Sequence, residues 1–124
     1  MIALVDTSIM IDVLRGVDEA LACLEPYDAL HASEISRLEV LAGMRPTEEA
    51  GTRALLSAFV WHDVDQVVAE MAGQLGRAWL RGNQGIDSAD LAVAATALRL
   101  GAPLLTLNTK HFPMFPGLAA PYAC

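Results

Sequence analysis

The first eight residues constrain the fold more than any other stretch of the chain. Four apolar residues, 2–5, are followed directly by Asp6, Thr7 and Ser8. An uninterrupted apolar run of this length is typical of a strand buried on both faces, as in the centre of a parallel sheet. Thr7 or Ser8 is then expected to cap a helix that ends at Gly16.

Asp6 is the first candidate functional residue. In open α/β sheets, ligands bind in the crevice outside the carboxyl ends of the strands, which is where a carboxylate directly after a central strand lies. Asp is also a preferred helix-capping residue, so a purely structural explanation is that the Asp6 side chain caps the following helix. The motif alone leaves both interpretations open.

Strand and helix patterns alternate along the rest of the chain. Further strands are predicted at 29–32, 59–64 and 103–107, and further helices at 17–24, 67–80, from Ser33 or Ser36 to Gly43, from a Thr47 cap over 48–59, and from Asp87 to Gly101. Such alternation predicts βα units around a parallel sheet. The proline-containing tail after Phe112 is expected to add an edge strand at most.

Composition limits the class of protein. At 124 residues with 54% hydrophobic content, the chain is expected to form one domain over residues 1–124. No apolar run approaches the roughly 18 residues of a membrane span, and no signal peptide precedes the first strand, so we expect a soluble, cytoplasmic protein. The net charge of −7 argues against general binding of nucleic acid through a basic surface. The high apolar content favours a partner or a second copy.

Four polar side chains are expected to meet at one edge of the sheet. Asp6 and Asn108 each follow a predicted strand, and a crossover helix brings Asp90, in its first turn, to the same edge. Glu39 lies about two helical turns past its strand, and at about 1.5 Å per residue its side chain remains within reach of the crevice. The sequence therefore predicts three carboxylates and one amide in a single site.

Clustered carboxylates raise one another's pKa unless a positive charge lies between them, and a hard divalent cation such as Mg²⁺ is the usual solution. Each residue also has a structural explanation. Asp90 could be the partner of an Asp87 helix cap, Glu39 a solvated helix residue, and Asn108 a turn residue. Their joint placement at one edge favours the metal site.

The chain resembles the PIN-domain ribonucleases, and specifically the VapC-type toxins of bacterial toxin–antitoxin pairs. The resemblance covers essentially the whole chain and rests on four motifs: Val5-Asp6-Thr7-Ser8, Glu39-Val40-Leu41-Ala42-Gly43, Asp90-Leu91-Ala92-Val93-Ala94-Ala95-Thr96-Ala97, and Leu104-Leu105-Thr106-Leu107-Asn108 followed by Lys110-His111-Phe112.

This resemblance implies a three-layer α/β/α sandwich with a central, mainly parallel sheet of four to five strands. It also implies an endoribonuclease that depends on Mg²⁺, with Mn²⁺ as a substitute, and that acts as the toxin of a type II pair. The partners implied are an RNA substrate, a cognate antitoxin whose carboxyl-terminal segment covers the groove, and a second copy in a homodimer.

The resemblance also assigns roles to residues. Asp6 and Asp90 would hold the metal ion, Glu39 would bind it and position or deprotonate the attacking water, and Asn108 would orient a ligand. The hydroxyl of Ser8 would support Asp6, with Asp87 supporting the helix end. His111 stands where many relatives have an acidic residue, which is a departure from the family pattern.

Two further surfaces are predicted, one for RNA and one for association with another chain. Arg37, Arg45 and Lys110 lie near the predicted edge and are candidates for contacts with RNA phosphates, although solvated surface positions explain them equally well. The helix at 67–80, together with Trp61 and Trp79, is the candidate surface for a dimer or an antitoxin.

Other functions fit the sequence less well. A phospho-receiver module needs an acidic pair after the first strand and an aspartate after the middle strand, and neither Thr7-Ser8 nor Asp63 matches. A haloacid-dehalogenase-like phosphatase needs an aspartate two positions after Asp6, where this chain has Ser8. A dimerising α/β binding module without catalysis remains an alternative, but it leaves the convergent carboxylates unexplained.

Overall fold

A computed structural model describes residues 1–123 of the chain. The strands are β1 (Ile2–Val5), β2 (Ala29–Ser33), β3 (Phe59–His62) and β4 (Leu104–Leu105). The helices are α1 (Thr7–Leu14), α2 (Asp18–Leu24), α3 (Glu34–Ala42), α4 (Glu49–Leu56), α5 (Gln66–Trp79) and α6 (Ser88–Leu100). Two 3₁₀ turns, Pro46–Glu48 and Thr109–His111, precede α4 and follow β4.

The four strands form one sheet in the order β3-β2-β1-β4, and every pairing is parallel. β1 lies between β2 and β4, and its residues Ala3, Leu4 and Val5 are completely buried. The parallel sheet and the central position of the first strand are thus confirmed. The structure has no strand in the tail at 113–123, so the sheet has four strands.

Side chains of β1 alternate between two cores. Ala3 and Val5 pack with helices α1, α2 and α4 on one face, whereas Leu4 packs with α6 and Phe112 on the other. Helix α5 covers α6 on this second face. This arrangement is the expected α/β/α sandwich, and it leaves the carboxyl ends of the strands open between the helix layers.

The start of α1 differs from the prediction. The helix begins at Thr7 with Asp6 in the N-cap position, so neither Thr7 nor Ser8 is the cap. The Asp6 side chain makes no capping hydrogen bond because the hydroxyl groups of Ser8 and Thr106 hold its carboxylate. The interpretation of Asp6 as only a helix cap is therefore wrong.

The segment before α4 also differs from the prediction. Thr47 lies inside a 3₁₀ turn rather than capping a helix, because Pro46 has the fixed φ that suits the first helical position. Glu48 accepts a hydrogen bond from the Arg45 backbone N–H at 2.7 Å, and α4 starts one residue later. The turn brings Arg45 beside α3.

The predicted association surface is split between the two faces of the sheet. Trp61 packs with the core beneath α1 to α4, and its indole N–H donates to the carbonyl of Leu56. Helix α5 lies on the opposite face, so Trp61 and Trp79 do not form one surface. Within residues 1–123, none of the helices has both the length and the apolar character required to cross a membrane.

Candidate active site

An open cavity of about 470 Å³ lies at the carboxyl ends of β1 and β4. Its lining includes Asp6 after β1, Glu39 from α3, Asp90 from the first turn of α6, and Asn108 after β4. The structure thus brings together all four side chains that the sequence placed at this edge. The cavity depends on the parallel sheet, because only a parallel arrangement puts these strand ends on one side.

Asp6 is buried, with 5% of its surface exposed, and two hydroxyl groups hold its carboxylate. Its Oδ2 accepts hydrogen bonds from the Thr106 hydroxyl at 2.7 Å and from the Ser8 hydroxyl at 3.2 Å. Ser8 Oγ in turn accepts from the backbone N–H of Leu107 at 3.1 Å. β4 is short because the residues after Leu105 make these contacts instead of extending the sheet, and the orientation of the Asp6 carboxylate is thereby fixed.

Glu39 reaches the cavity from helix α3. Its Oε1 accepts a hydrogen bond from the hydroxyl of Thr7, the first residue of α1, at 2.7 Å. The start of α3 is set by Ser33, whose side chain caps the helix by accepting from the backbone N–H of Ile35. Thr7 therefore links the helix that follows β1 to the carboxylate carried by α3.

Asp90 has a structural contact and a place in the cavity. Its Oδ2 accepts from the backbone N–H of Asp87 at 3.1 Å, and its own N–H donates to Asp87 Oδ1 at 2.9 Å. This reciprocal capping box is the structural explanation considered for Asp90, and it is present. His111 Nδ1 lies 3.2 Å from the same Oδ2. His111, which the sequence marked as a departure from the family pattern, thus contacts Asp90 directly.

The environment of Asp90 disfavours its negative charge. Its pKa is raised from the usual 3.8 to about 6, chiefly by burial and also by the carboxylates of Asp87 and Asp6. The backbone N–H of Asp87 and the side chain of His111 act in the opposite direction. A cation in the cavity would offset the burial and the repulsion together.

Each of the three carboxylates has one oxygen held by the protein and one left open. Within residues 1–123, Oδ1 of Asp6, Oε2 of Glu39 and Oδ1 of Asp90 have no hydrogen-bond partner. Oxygen ligands fixed by neighbouring hydrogen bonds suit a hard divalent cation. No group of three His, Cys, Asp or Glu residues in the described chain is close enough to form a ready-made metal site. The oxygen donors therefore fit a divalent cation, and the three carboxylates would have to move closer together to bind it.

Of the three basic residues predicted to contact RNA, only Arg45 lies next to the acidic cavity. Arg45 lines a cavity next to the site, and Arg15, which was not among the predicted basic residues, lines both cavities. Arg37 is paired with Glu34 and stacks over Trp61, away from the carboxylates. Lys110 is exposed in the turn after Asn108 and does not line the site.

Two supporting residues were missed from the sequence, Thr7 and Thr106. Thr106 is fully buried and holds Asp6, while Thr7 is 8% exposed and holds Glu39. The sequence did contain a signal for Thr106, since it is the one hydroxyl residue in the apolar run that ends at Leu107. Asp63, which a phospho-receiver would need beside Asp6, follows the edge strand β3 and lines a different cavity.

Comparison with known proteins identifies the family. The family model described as PIN domain matches residues 3–116. The chain is 43% identical to Ribonuclease VapC19 of Mycobacterium tuberculosis over 123 residues, which cover 96% of this chain and 98% of that protein. It is 37% identical to Ribonuclease VapC10 of the same organism, with 97% and 92% of the two chains covered.

A solved structure has the same fold along its whole length. The toxin-antitoxin complex from Klebsiella pneumoniae contains a chain that is 31% identical, with a TM-score of 0.84 over 98% of this chain and 99% of that one. The resemblance to VapC-type PIN domains found in the sequence is thus confirmed. Since one family model spans most of its length and relatives above 30% identity match it from end to end, this chain belongs to the PIN domain family.

Proposed function

We propose that this protein is a metal-dependent endoribonuclease, and that it acts as the toxin of a type II toxin–antitoxin pair. The observation that carries the proposal is the cavity in which Asp6, Glu39 and Asp90 each offer one unpartnered carboxylate oxygen. The names of the relatives, which are ribonucleases of the VapC group, support the same chemistry. The substrate class proposed is RNA, and the bond cleaved is a phosphodiester.

The side chains divide the work by their positions. Asp6 and Asp90 would hold the cation, since their carboxylates line the cavity from the carboxyl end of β1 and the first turn of α6. Glu39 is exposed whereas Asp6 is buried, so the free Oε2 of Glu39 is the oxygen that accepts a proton from the attacking water. Asn108 orients the phosphate or a water by hydrogen bonding. When bound, Mg²⁺ or Mn²⁺ supplies positive charge that stabilises the transition state and lowers the pKa of water.

We also propose two partners. A cognate antitoxin is supported by the similar solved structure, which is itself a toxin–antitoxin complex. A homodimer is supported by exposed valines along the open edge of the sheet, namely Val60 on β3, Val64 after it, and Val67 at the start of α5. Within residues 1–123, β3 pairs only with β2, so this edge also presents unpaired backbone groups.

The direct test is cleavage of a labelled RNA with Mg²⁺, with Mn²⁺ and with excess EDTA. Cleavage is expected with either metal and not in EDTA, because the carboxylates alone cannot stabilise the charge that develops on the phosphate. Asp6→Asn is expected to reduce the rate by at least about 100-fold while the protein stays folded. Asp63→Asn is the matched control, since Asp63 lines another cavity. Cleavage that continues unchanged in EDTA would contradict the mechanism.

A further inference from the structure

A second cavity, of about 320 Å³, adjoins the acidic one and lies between α1, α3 and α4. The two cavities share Ile11, Arg15 and Glu39. The rest of the lining combines apolar side chains with Arg45, Thr52 and Glu48, and Glu48 Oε1 accepts a hydrogen bond from the Arg45 backbone N–H. Its volume is at the lower end of the range for small-molecule sites, roughly 300–1,000 Å³. A ligand that reaches the carboxylates from this side passes over Arg15.

The positive charges of this second cavity are not neutralised by ion pairs. Arg37, Arg53 and Arg99 are each paired with a carboxylate. Arg15 and Arg45 have no ion pair among residues 1–123, and both line the cavity. Two free guanidinium groups in a chain of net charge −7 favour a ligand that carries phosphate.

Thr52 provides a second, independent indication of a ligand. It is 1% exposed and lines the cavity, yet its hydroxyl makes no hydrogen bond within the described chain. Buried hydroxyl groups in helices usually find a backbone partner, as Thr96 does by donating to the carbonyl of Ala92 at 2.8 Å. The Thr52 hydroxyl is therefore available to a group that enters the cavity.

We propose that this cavity binds the nucleotide next to the scissile phosphate, and the inference rests on the ribonuclease function proposed above. The Thr52 hydroxyl bonds the base, Ile11 and Val40 contact its face, and Arg45 stacks on it or holds its outer phosphate. Arg15 contacts the phosphate between the two cavities. Unpaired bases are commonly recognised by stacking on guanidinium planes and by edge hydrogen bonds, so the substrate class is single-stranded RNA.

The first experiment measures binding without cleavage. Backbone amide NMR spectra are recorded in EDTA during titration with AMP, GMP, CMP and UMP in turn. At least one nucleotide is expected to shift Gly43, Met44 and Thr52, with little effect on Thr96. Thr52→Val, which keeps the shape of the side chain, is expected to weaken this binding by up to about tenfold, the loss of one hydrogen bond. Arg77→Ala removes an exposed, unpaired arginine from α5 and is the matched control.

The second experiment measures cleavage of an RNA and of the same RNA with an abasic ribose on either side of the cut. Thr52→Val and Arg45→Ala are expected to lower kcat/KM on intact RNA by about tenfold, mainly through KM. Thr52→Val is expected to have no effect on one of the abasic substrates, because the base that its hydroxyl bonds is missing. Thermal melts confirm that both variants are folded.

The outcomes separate this inference from the proposed function. Nucleotide-induced shifts at Thr52 without any RNA cleavage would support the nucleotide site and contradict the ribonuclease. Cleavage without such shifts, or with equal losses on intact and abasic RNA, would overturn the nucleotide site alone. Weaker binding of an antitoxin by both variants, with nucleotide shifts unchanged, would assign the cavity to a protein interface and would also overturn the proposal.

Discussion

Asp90 serves the helix end and the cavity through different oxygens. Oδ2 completes the capping box with Asp87 and contacts His111, while Oδ1 has no partner within residues 1–123. A helix cap and a metal ligand are therefore compatible in one side chain. The cap also fixes the carboxylate, because rotation of Asp90 would break its hydrogen bond to the Asp87 N–H.

The same substitution, Asp to Asn, distinguishes the role of Asp90 from that of Asp87. Asp87→Asn is expected to keep most of the RNA cleavage rate, since Asn caps helices about as well as Asp. Asp90→Asn removes a full negative charge from the proposed metal site, and a loss of at least about 100-fold is expected with the fold intact. The measurement is the cleavage rate of each variant on one RNA, with circular dichroism as the folding control. An active Asp90→Asn beside an inactive, folded Asp87→Asn would show that the site has been placed one helical turn out of position.

The raised pKa of Asp90 makes stability depend on pH in the metal-free protein. The folded pKa of about 6 lies above the ordinary 3.8, so the folded state binds the proton more tightly than the unfolded state does. The corresponding stability is complete below about pH 4 and is lost as the pH rises towards 6. Asn resembles the protonated acid, so Asp90→Asn is expected to melt above the wild type at pH 7.5 and to lose that advantage at pH 4.

The measurement is the Tm of both proteins in EDTA at the two pH values. Asp63→Asn is again the control, because it also removes one carboxylate but lies outside the cavity. A difference in Tm between Asp90→Asn and the wild type that is the same at both pH values would contradict this account.

At the scale of elements, the proposed dimer surface is the exposed valines at the β3 edge of the sheet and not the surface predicted from the sequence. Val67→Glu is expected to shift a dimer to monomers, because it places a charge among exposed valines. The Glu would stand in the first turn of α5, where a negative charge is favourable, so the fold is expected to persist. Light scattering at several concentrations measures the change. Gln74→Glu adds the same charge elsewhere on the exposed surface of α5 and is expected to leave the dimer intact, and a wild-type monomer at high concentration would contradict the proposal.

The order of elements and the four cavity side chains were predictable because each depends on local pattern and on the rule that parallel strand ends share an edge. Asp6, Glu39, Asp90 and Asn108 could all be placed in this way. Thr106 could not, because its role depends on contact with a residue 100 positions away. The position of Arg45 could not be predicted from the sequence either, since it depends on the turn that Pro46 begins.

At the scale of the whole molecule, metal binding is expected to stabilise the fold. The carboxylates of the cavity repel one another without a cation, and a ligand that binds only the folded state raises stability by mass action. Addition of Mg²⁺ or Mn²⁺ at about 100 times its Kd corresponds to roughly 2.7 kcal/mol, or several degrees in Tm for a domain of this size. Differential scanning fluorimetry measures the shift. Asp6→Asn is expected to abolish it, and an equal shift in that variant would place the cation elsewhere.

The hydrogen bond between Thr106 and Asp6 joins residues that are 100 positions apart, as does the pairing of β1 with β4. During synthesis, Asp6 leaves the ribosome about 100 residues before the strand that orients it. A nascent chain that stops before β4 therefore carries three of the four cavity side chains, but it has neither the support beneath Asp6 nor Asn108. A cell that translates this message therefore meets no assembled site until β4 and Asn108 have been synthesised.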